Sequence, residues 1–132
     1  MKKIKNLLKY QLLTILWAIF IYMLCISNPS VLPKYRFFNI PYFDKCVHAF
    51  LFGVMALLFL LGFKRQTPRL YFNNKHYFLV LLCCTVYGVF IELVQYFYTS
   101  NRHADIYDVV ADSTGAMLGC AVAYFWLIKG EK

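Results

Sequence analysis

Five of the six Asp and Glu residues in this 132-residue chain (Asp44, Glu92, Asp105, Asp108 and Asp112) stand at the start of apolar runs or inside them. A charge there is costly unless it is paired or used. Lys45, His48, Gln95, Arg102 and His103 fall in the same stretches. Carboxylates beside a histidine can perform general acid–base chemistry, which makes His48, Glu92 and Asp112 the catalytic candidates. The same groups can hydrogen-bond a polar head group, and Arg102 is suited to phosphate through its bidentate donors. The candidate binding set is therefore Asp44, Lys45, His48, Glu92, Gln95, Arg102, Asp105, Asp108 and Asp112. Five carboxylates against Lys45 and Arg102 cannot all stay ionised and unpaired in a low dielectric. Some are protonated, or a divalent cation is bound, or a cationic ligand group completes the site. Carboxylates together with a substrate phosphate suit Mg²⁺, whereas no zinc-type ligand spacing is present.

Each of these residues also has a plainer reading. Asp44 and Asp105 each open an apolar run, where aspartate is a favoured N-cap. Asp108, three residues after Asp105, fits a capping-box partner. Lys45 and His103 at an interface are ordinarily solvated or snorkelling. Glu92 and Asp112 lie within their runs, so neither can cap; their plain reading is a polar network between helices. His76 sits beside basic residues and reads as incidental. Cys25, Cys46, Cys83, Cys84 and Cys120 form no C-x-x-C pair and read as small hydrophobes, not as disulfides.

The elements that must position these groups follow from composition. Hydrophobic residues make up 61% of the chain and charged residues 15%, against roughly 45–50% and about 25% in soluble domains. That excess needs lipid as solvent, and the runs are long enough for helices of about 20 residues. They do not alternate as barrel strands do. The chain reads as a single all-α domain over 1–132, an integral membrane bundle of four helices at about 10–26, 44–63, 76–98 and 105–128. The basic segment before Tyr10 resembles a signal's start, but no small-x-small site follows, so the first run is expected to be retained as a helix. A first loop with Pro29, Pro33 and Pro41 carries interface-type aromatics, among them Tyr35, Phe37, Phe38, Tyr42 and Phe43. Ten Lys and Arg flank the ends on one side and four the other, which predicts both termini in the cytoplasm. The net charge of +8 is thus a topology signal, and the basic-aromatic stripe of a nucleic-acid binder is missing.

In this arrangement the ionisable groups gather at the outward end. Glu92 and Asp112 each lie seven residues from a helix end, roughly 10 Å deep at 1.5 Å per residue. Spacings of i, i+4 (Asp44/His48), i, i+3 (Glu92/Gln95) and i, i+3, i+7 (Asp105/Asp108/Asp112) set each group on one helical face. Ala111, Gly115, Gly119 and Ala123 form a small-residue stripe suited to close helix packing.

Three segments resemble the VanZ-like family. They are Asp44-Lys45-Cys46-Val47-His48, Glu92-Leu93-Val94-Gln95, and Arg102 through Asp112 to Gly115 with Asp105 and Asp108 between. The family pattern is D-K-x-x-H, then E-x-x-Q, then R-x-x-D-x-x-D-x-x-x-[DN]-x-x-G, and Asp112 stands where asparagine is usual. The resemblance covers about Asp44 to Gly119. It implies a multi-pass protein of the bacterial cytoplasmic membrane, linked to the cell envelope, with lipid-linked wall precursors or lipoglycopeptides such as teicoplanin as partners. It implies no reaction. The leading expectation is binding of a lipid or lipid-linked envelope head group at the extracytoplasmic face. The rivals are a membrane enzyme using His48 with Glu92 or Asp112, a structural or partner-assembly protein, and a small transporter. Transport fits least, because Ile15–Phe20, Leu57–Leu61 and Leu79–Leu82 carry almost no polar residues on the inward side.

Overall fold

A computed structural model describes residues 2–26, 42–67, 72–98 and 105–129. Arg102, His103, Lys34, Arg36, the loop aromatics Tyr35, Phe37 and Phe38, and Arg69 lie outside the described residues. The described chain forms four helices: α1 (Lys2–Ile26), α2 (Phe43–Gln66), α3 (Asn74–Tyr98) and α4 (Ile106–Lys129). All four hold stretches long and apolar enough to cross a membrane, at Leu8–Ile26, Phe43–Gln66, Asn74–Tyr98 and Ile106–Trp126. Side chains such as Leu12, Leu16, Phe78, Val86, Leu118 and Phe125 point outward, as lipid requires and water would not tolerate on this scale.

The expected element order is present, and the larger boundary differences lengthen the helices. α1 begins at Lys2 and not near Tyr10, and α2 continues to Gln66 and not Phe63. Apolar runs mark what lipid covers, whereas lysine, leucine and glutamine are good helix formers that carry the helix past the hydrocarbon edge. The start of α2 is also a correction. Its N-cap is Tyr42, in the left-handed region at φ 64°, with no side-chain capping bond, so Asp44 lies inside the first turn and caps nothing.

The helices run up and down. Gln11 reaches Phe59 and Trp17 reaches Leu51, so α1 is antiparallel to α2; Tyr87 reaches Ala18, so α1 and α3 run together. α2 and α4 lie in closest contact. A Cβ at Gly115 would overlap the Ala49 carbonyl, and one at Gly119 the Gly53 carbonyl. Lipid tails are as apolar as leucine, so membrane helices associate through such backbone-close packing and not by escape from water. Phe52, Leu60, Val80, Ile91, Ala116 and Ala123 fill the space between helices.

α1 is held differently. Gln11 Nε2 donates to Phe59 O (3.1 Å), Trp17 Nε1 to Leu51 O (2.9 Å), Tyr87 Oη to Ala18 O (2.6 Å) and Gln95 Nε2 to Cys25 O (3.0 Å). The Phe59, Leu51 and Ala18 carbonyls each have a second lone pair beside their helical bond, whereas Cys25, four residues before Pro29, has no i+4 amide to serve. Among the described residues α1 touches α2 and α3 but not α4.

Candidate functional site

Because the helices alternate, the N-termini of α2 and α4 meet at the end where α1 and α3 finish. Two helix N-termini carry partial positive charge and unpaired N–H groups, which favours carboxylates nearby. This gives a physical reason for acidic residues to collect at that end.

α4 begins with a divided capping box. Asp105 is its N-cap: one carboxylate oxygen, Oδ1, accepts the Tyr107 N–H at 2.9 Å. In the usual arrangement the residue at the third helical position returns to the N-cap amide. That residue is Asp108, but its carboxylate turns to Lys45. Glu92, from α3, takes the Asp105 N–H through Oε2 at 2.9 Å. A neighbouring helix therefore completes the cap and draws Glu92 into the cluster.

Lys45 is the cation at the centre. Its Nζ lies 2.7 Å from both Asp105 Oδ2 and Asp108 Oδ1, and 3.5 Å from Asp44 Oδ2. The Asp44 carboxylate is 65% exposed, and at that distance in water the pair is worth little. The expectation of a merely solvated Lys45 is set aside: it clamps α2 to the first turn of α4. Lys45 and the Tyr107 amide hold the Asp105 carboxyl below the ordinary aspartate range.

One turn deeper, His48 Nδ1 meets Asp112 Oδ1 at 2.9 Å, and Asp112 is fully buried. With Asp112 ionised, Nδ1 is the donor, and a neutral ring keeps Nε2 as an acceptor. The other oxygen, Asp112 Oδ2, faces α3 at Gly88, where an added Cβ would come within 2.6 Å of it. Glycine at 88 makes the room that a carboxylate at 112 needs. Below this pair, Thr85 and Ser113 hydroxyls lie 3.0 Å apart.

Three buried oxygens have no hydrogen-bond partner among the described residues: Glu92 Oε1 and Asp112 Oδ2 in this cluster, and Tyr77 Oη near the start of α3 at the other end of the bundle. A buried acceptor without a donor costs roughly 1–3 kcal/mol, more when charged. Of the sequence candidates, Asp44, Lys45, His48, Glu92, Asp105, Asp108 and Asp112 share this end of the bundle; Arg102 falls outside the described residues. Gln95 is buried there too, but its amide also ties α3 to α1 at Cys25. No group of three His, Cys, Asp or Glu placed to hold a metal occurs among the described residues.

Other polar residues escaped the sequence reading. Gln11 and Thr14 are buried in α1, with Thr14 Oγ1 donating to Gln11 Oε1 at 2.8 Å. Their signal was available: positions 11, 14, 18, 21 and 25 repeat at three and four residues, and Gln11, Thr14, Ile21 and Cys25 are all buried. His76, read as incidental, exchanges two bonds with the N-cap Asn73 at 3.3 Å each, a capping box with histidine in the glutamate position.

Neither the curated proteins nor the solved structures contain a match to this chain. The family model described as VanZ/LLP1 matches residues 2–128, from the start of α1 almost to the end of α4, and the chain belongs to that family of membrane proteins.

Proposed function

We infer that the polar end of the bundle binds the head group of a lipid or lipid-linked envelope intermediate at the outer face of the bacterial cytoplasmic membrane. The observation that carries this reading is a pair of buried oxygens in the cluster, Glu92 Oε1 on α3 and Asp112 Oδ2 on α4, that find no hydrogen-bond partner among the described residues. A ligand offering hydroxyl or ammonium hydrogens would satisfy both. The charge balance narrows the chemistry further. Five carboxylates surround Lys45 and His48, and Lys45 already serves Asp105 and Asp108. A bare phosphate would meet net repulsion here, so the donor-rich part of the head group, an amine or sugar hydroxyls, belongs against Glu92 and Asp112. Arg102 is left as the partner for a phosphate. An amino- or sugar-bearing wall precursor fits this description, as does the lipoglycopeptide class to which the family's link with teicoplanin resistance points.

The test is native mass spectrometry of the gently purified protein beside Glu92→Gln, which keeps the shape and replaces an acceptor with a donor. A specific envelope lipid on the wild type, lost from a variant of equal folded yield, supports the reading. The same lipids on both proteins overturn it.

A second reading is favoured by the His48–Asp112 pair. A histidine oriented by a wholly buried carboxylate is the arrangement of a general base, and the substrate would be the same lipid-linked molecule. Conversion of the bound lipid to a new mass by the wild type, absent in His48→Gln, would distinguish catalysis from binding alone.

A further inference from the structure

The polar end of the bundle is short of positive charge. Asp44 is 65% exposed and left to water. Asp105, Asp108, Glu92 and Asp112 remain. Lys45 Nζ lies 2.7 Å from both Asp105 and Asp108, and His48 Nδ1 meets Asp112 at 2.9 Å. Glu92 is bonded differently: its Oε2 accepts a main-chain N–H, from Asp105, at 2.9 Å. Among the described residues no Lys or Arg other than Lys45 stands between Lys9 and Lys64 or between Lys75 and Lys129. Glu92 is therefore the carboxylate that these cations do not reach.

The open atoms mark where a further cation would enter. Glu92 is 4% exposed and Asp112 0%, yet Glu92 Oε1 and Asp112 Oδ2 have no hydrogen-bond partner among the described residues. Asp112 Oδ2 lies against Gly88, within 2.6 Å of where a Cβ would stand. Glu92 follows Gly88 by four residues, so it lies one turn outward on the same face of α3. Helical side chains lean toward the start of their helix, which brings the Glu92 carboxylate down toward Gly88. The two oxygens are thus no more than a turn, roughly 5 Å, apart in depth. One nitrogen about 2.8 Å from each can span a gap of that size.

A proton does not settle the site. An O–H created at Glu92 Oε1 would be a donor with no acceptor among the described residues. A sugar hydroxyl supplies a hydrogen but no charge, and a buried carboxylate met by neutral donors alone stays uncompensated. An ammonium supplies both, with three donors and no acceptor. We propose that the site takes an organic primary ammonium group, held between Glu92 Oε1 and Asp112 Oδ2, and that the head group it accepts is an aminolipid's. This rests on the head-group reading above and narrows it from donor-rich ligands to cationic ones.

The test titrates delipidated full-length protein with three lipids of the same chains, read by native mass spectrometry. Phosphatidylethanolamine carries charge and N–H donors, phosphatidylcholine charge without donors, and monoglucosyldiacylglycerol donors without charge. Wild type should bind phosphatidylethanolamine about tenfold or more tightly than either of the others, the worth of one hydrogen bond to a charged group. Glu92→Gln should lose most of that preference, because its amide can still accept the Asp105 N–H but turns a donor toward the ammonium. The wild-type comparison needs no variant, so it decides even where Glu92→Gln folds poorly. A parallel thermal-shift titration with free ethanolamine separates a soluble amine from a lipid one. Phosphatidylcholine or the glucolipid bound as tightly as phosphatidylethanolamine, with no stabilisation by ethanolamine, overturns the proposal; where that binding is lost in folded Glu92→Gln, the head-group reading still stands. A phosphatidylethanolamine preference kept in folded Glu92→Gln also overturns it. Stabilisation by ethanolamine that Glu92→Gln lacks, with all three lipids bound equally, keeps the ammonium site and overturns the lipid reading.

Discussion

The α2–α4 seam and the α1–α3 seam are built on opposite principles. α2 and α4 meet backbone to backbone through Ala49, Gly53, Gly115 and Gly119, with Lys45 and His48 locked onto Asp105, Asp108 and Asp112 at one end. α1 and α3 stand apart and are bridged by side chains that reach main-chain carbonyls, Tyr87 to Ala18 and Gln95 to Cys25, with a groove between them. The first design fixes charged groups to within a hydrogen-bond length; the second holds a helix in place while leaving volume. In a membrane, close packing and polar bridges both hold helices together, and this chain uses the first between α2 and α4 and the second around α1.

Breaking the glycine seam should have the largest effect. Gly115→Val places branched carbons where the Ala49 carbonyl lies. Neither backbone can yield without dismantling the cluster, so the cost should exceed about 4 kcal/mol. Loss of the monodisperse peak on gel filtration in detergent is the expected result; a wild-type profile would mean the seam is looser than described.

Next is the lysine clamp. Lys45→Met leaves Asp105 and Asp108 facing each other without a cation. Asp108 is mostly buried and Asp105 40% exposed, so the cost is set below the 3–5 kcal/mol of a fully buried broken pair, at about 1–3 kcal/mol. The thermal midpoint should fall clearly. Adding Asp108→Leu should recover part of the loss, because an apolar residue then replaces an orphaned charge.

The bridges of α1 should matter less. Tyr87→Phe removes only the hydroxyl that Ala18 accepts. Interhelical hydrogen bonds in membranes are worth about 0.6 kcal/mol on average, so a shift of a few degrees or less is expected in a thermal melt. A loss as large as that of Lys45→Met would show that the two seams are not so different.

Acid should produce the smallest change. The Asp105 carboxyl is held below its ordinary value of 3.8 by Lys45. Its contribution is therefore whole above about pH 4, where the unfolded carboxyl is also ionised, and is lost as pH falls through the lower folded value. Wild-type stability should decline below pH 4 by an amount that Lys45→Met no longer shows, when the two are compared by acid titration of the melting temperature.

Several features of this architecture could be read from residue types alone. Long apolar runs fix a helical membrane protein because no other single segment satisfies its backbone in lipid. The i, i+3 and i, i+4 spacings of Asp105, Asp108 and Asp112 put those carboxylates on one face, and the small-residue stripe at Gly115 and Gly119 marked a close contact. Gln11 and Thr14 are harder to read, because two polar residues near the end of an apolar run are ordinary at an interface. Only their period with Ala18, Ile21 and Cys25 sets them inside.

Local periodicity and the cost of charge in lipid are enough to set the four helices, their order, and the end at which the ionisable residues gather. The partners of those residues emerge only in the folded bundle. Lys45 became the hub, Glu92 completed a cap on a different helix, and Asp112 took His48 on one oxygen while its other oxygen has no partner among the described residues. Those outcomes depend on helix register and on how closely two backbones approach, which residues distant in the chain set together.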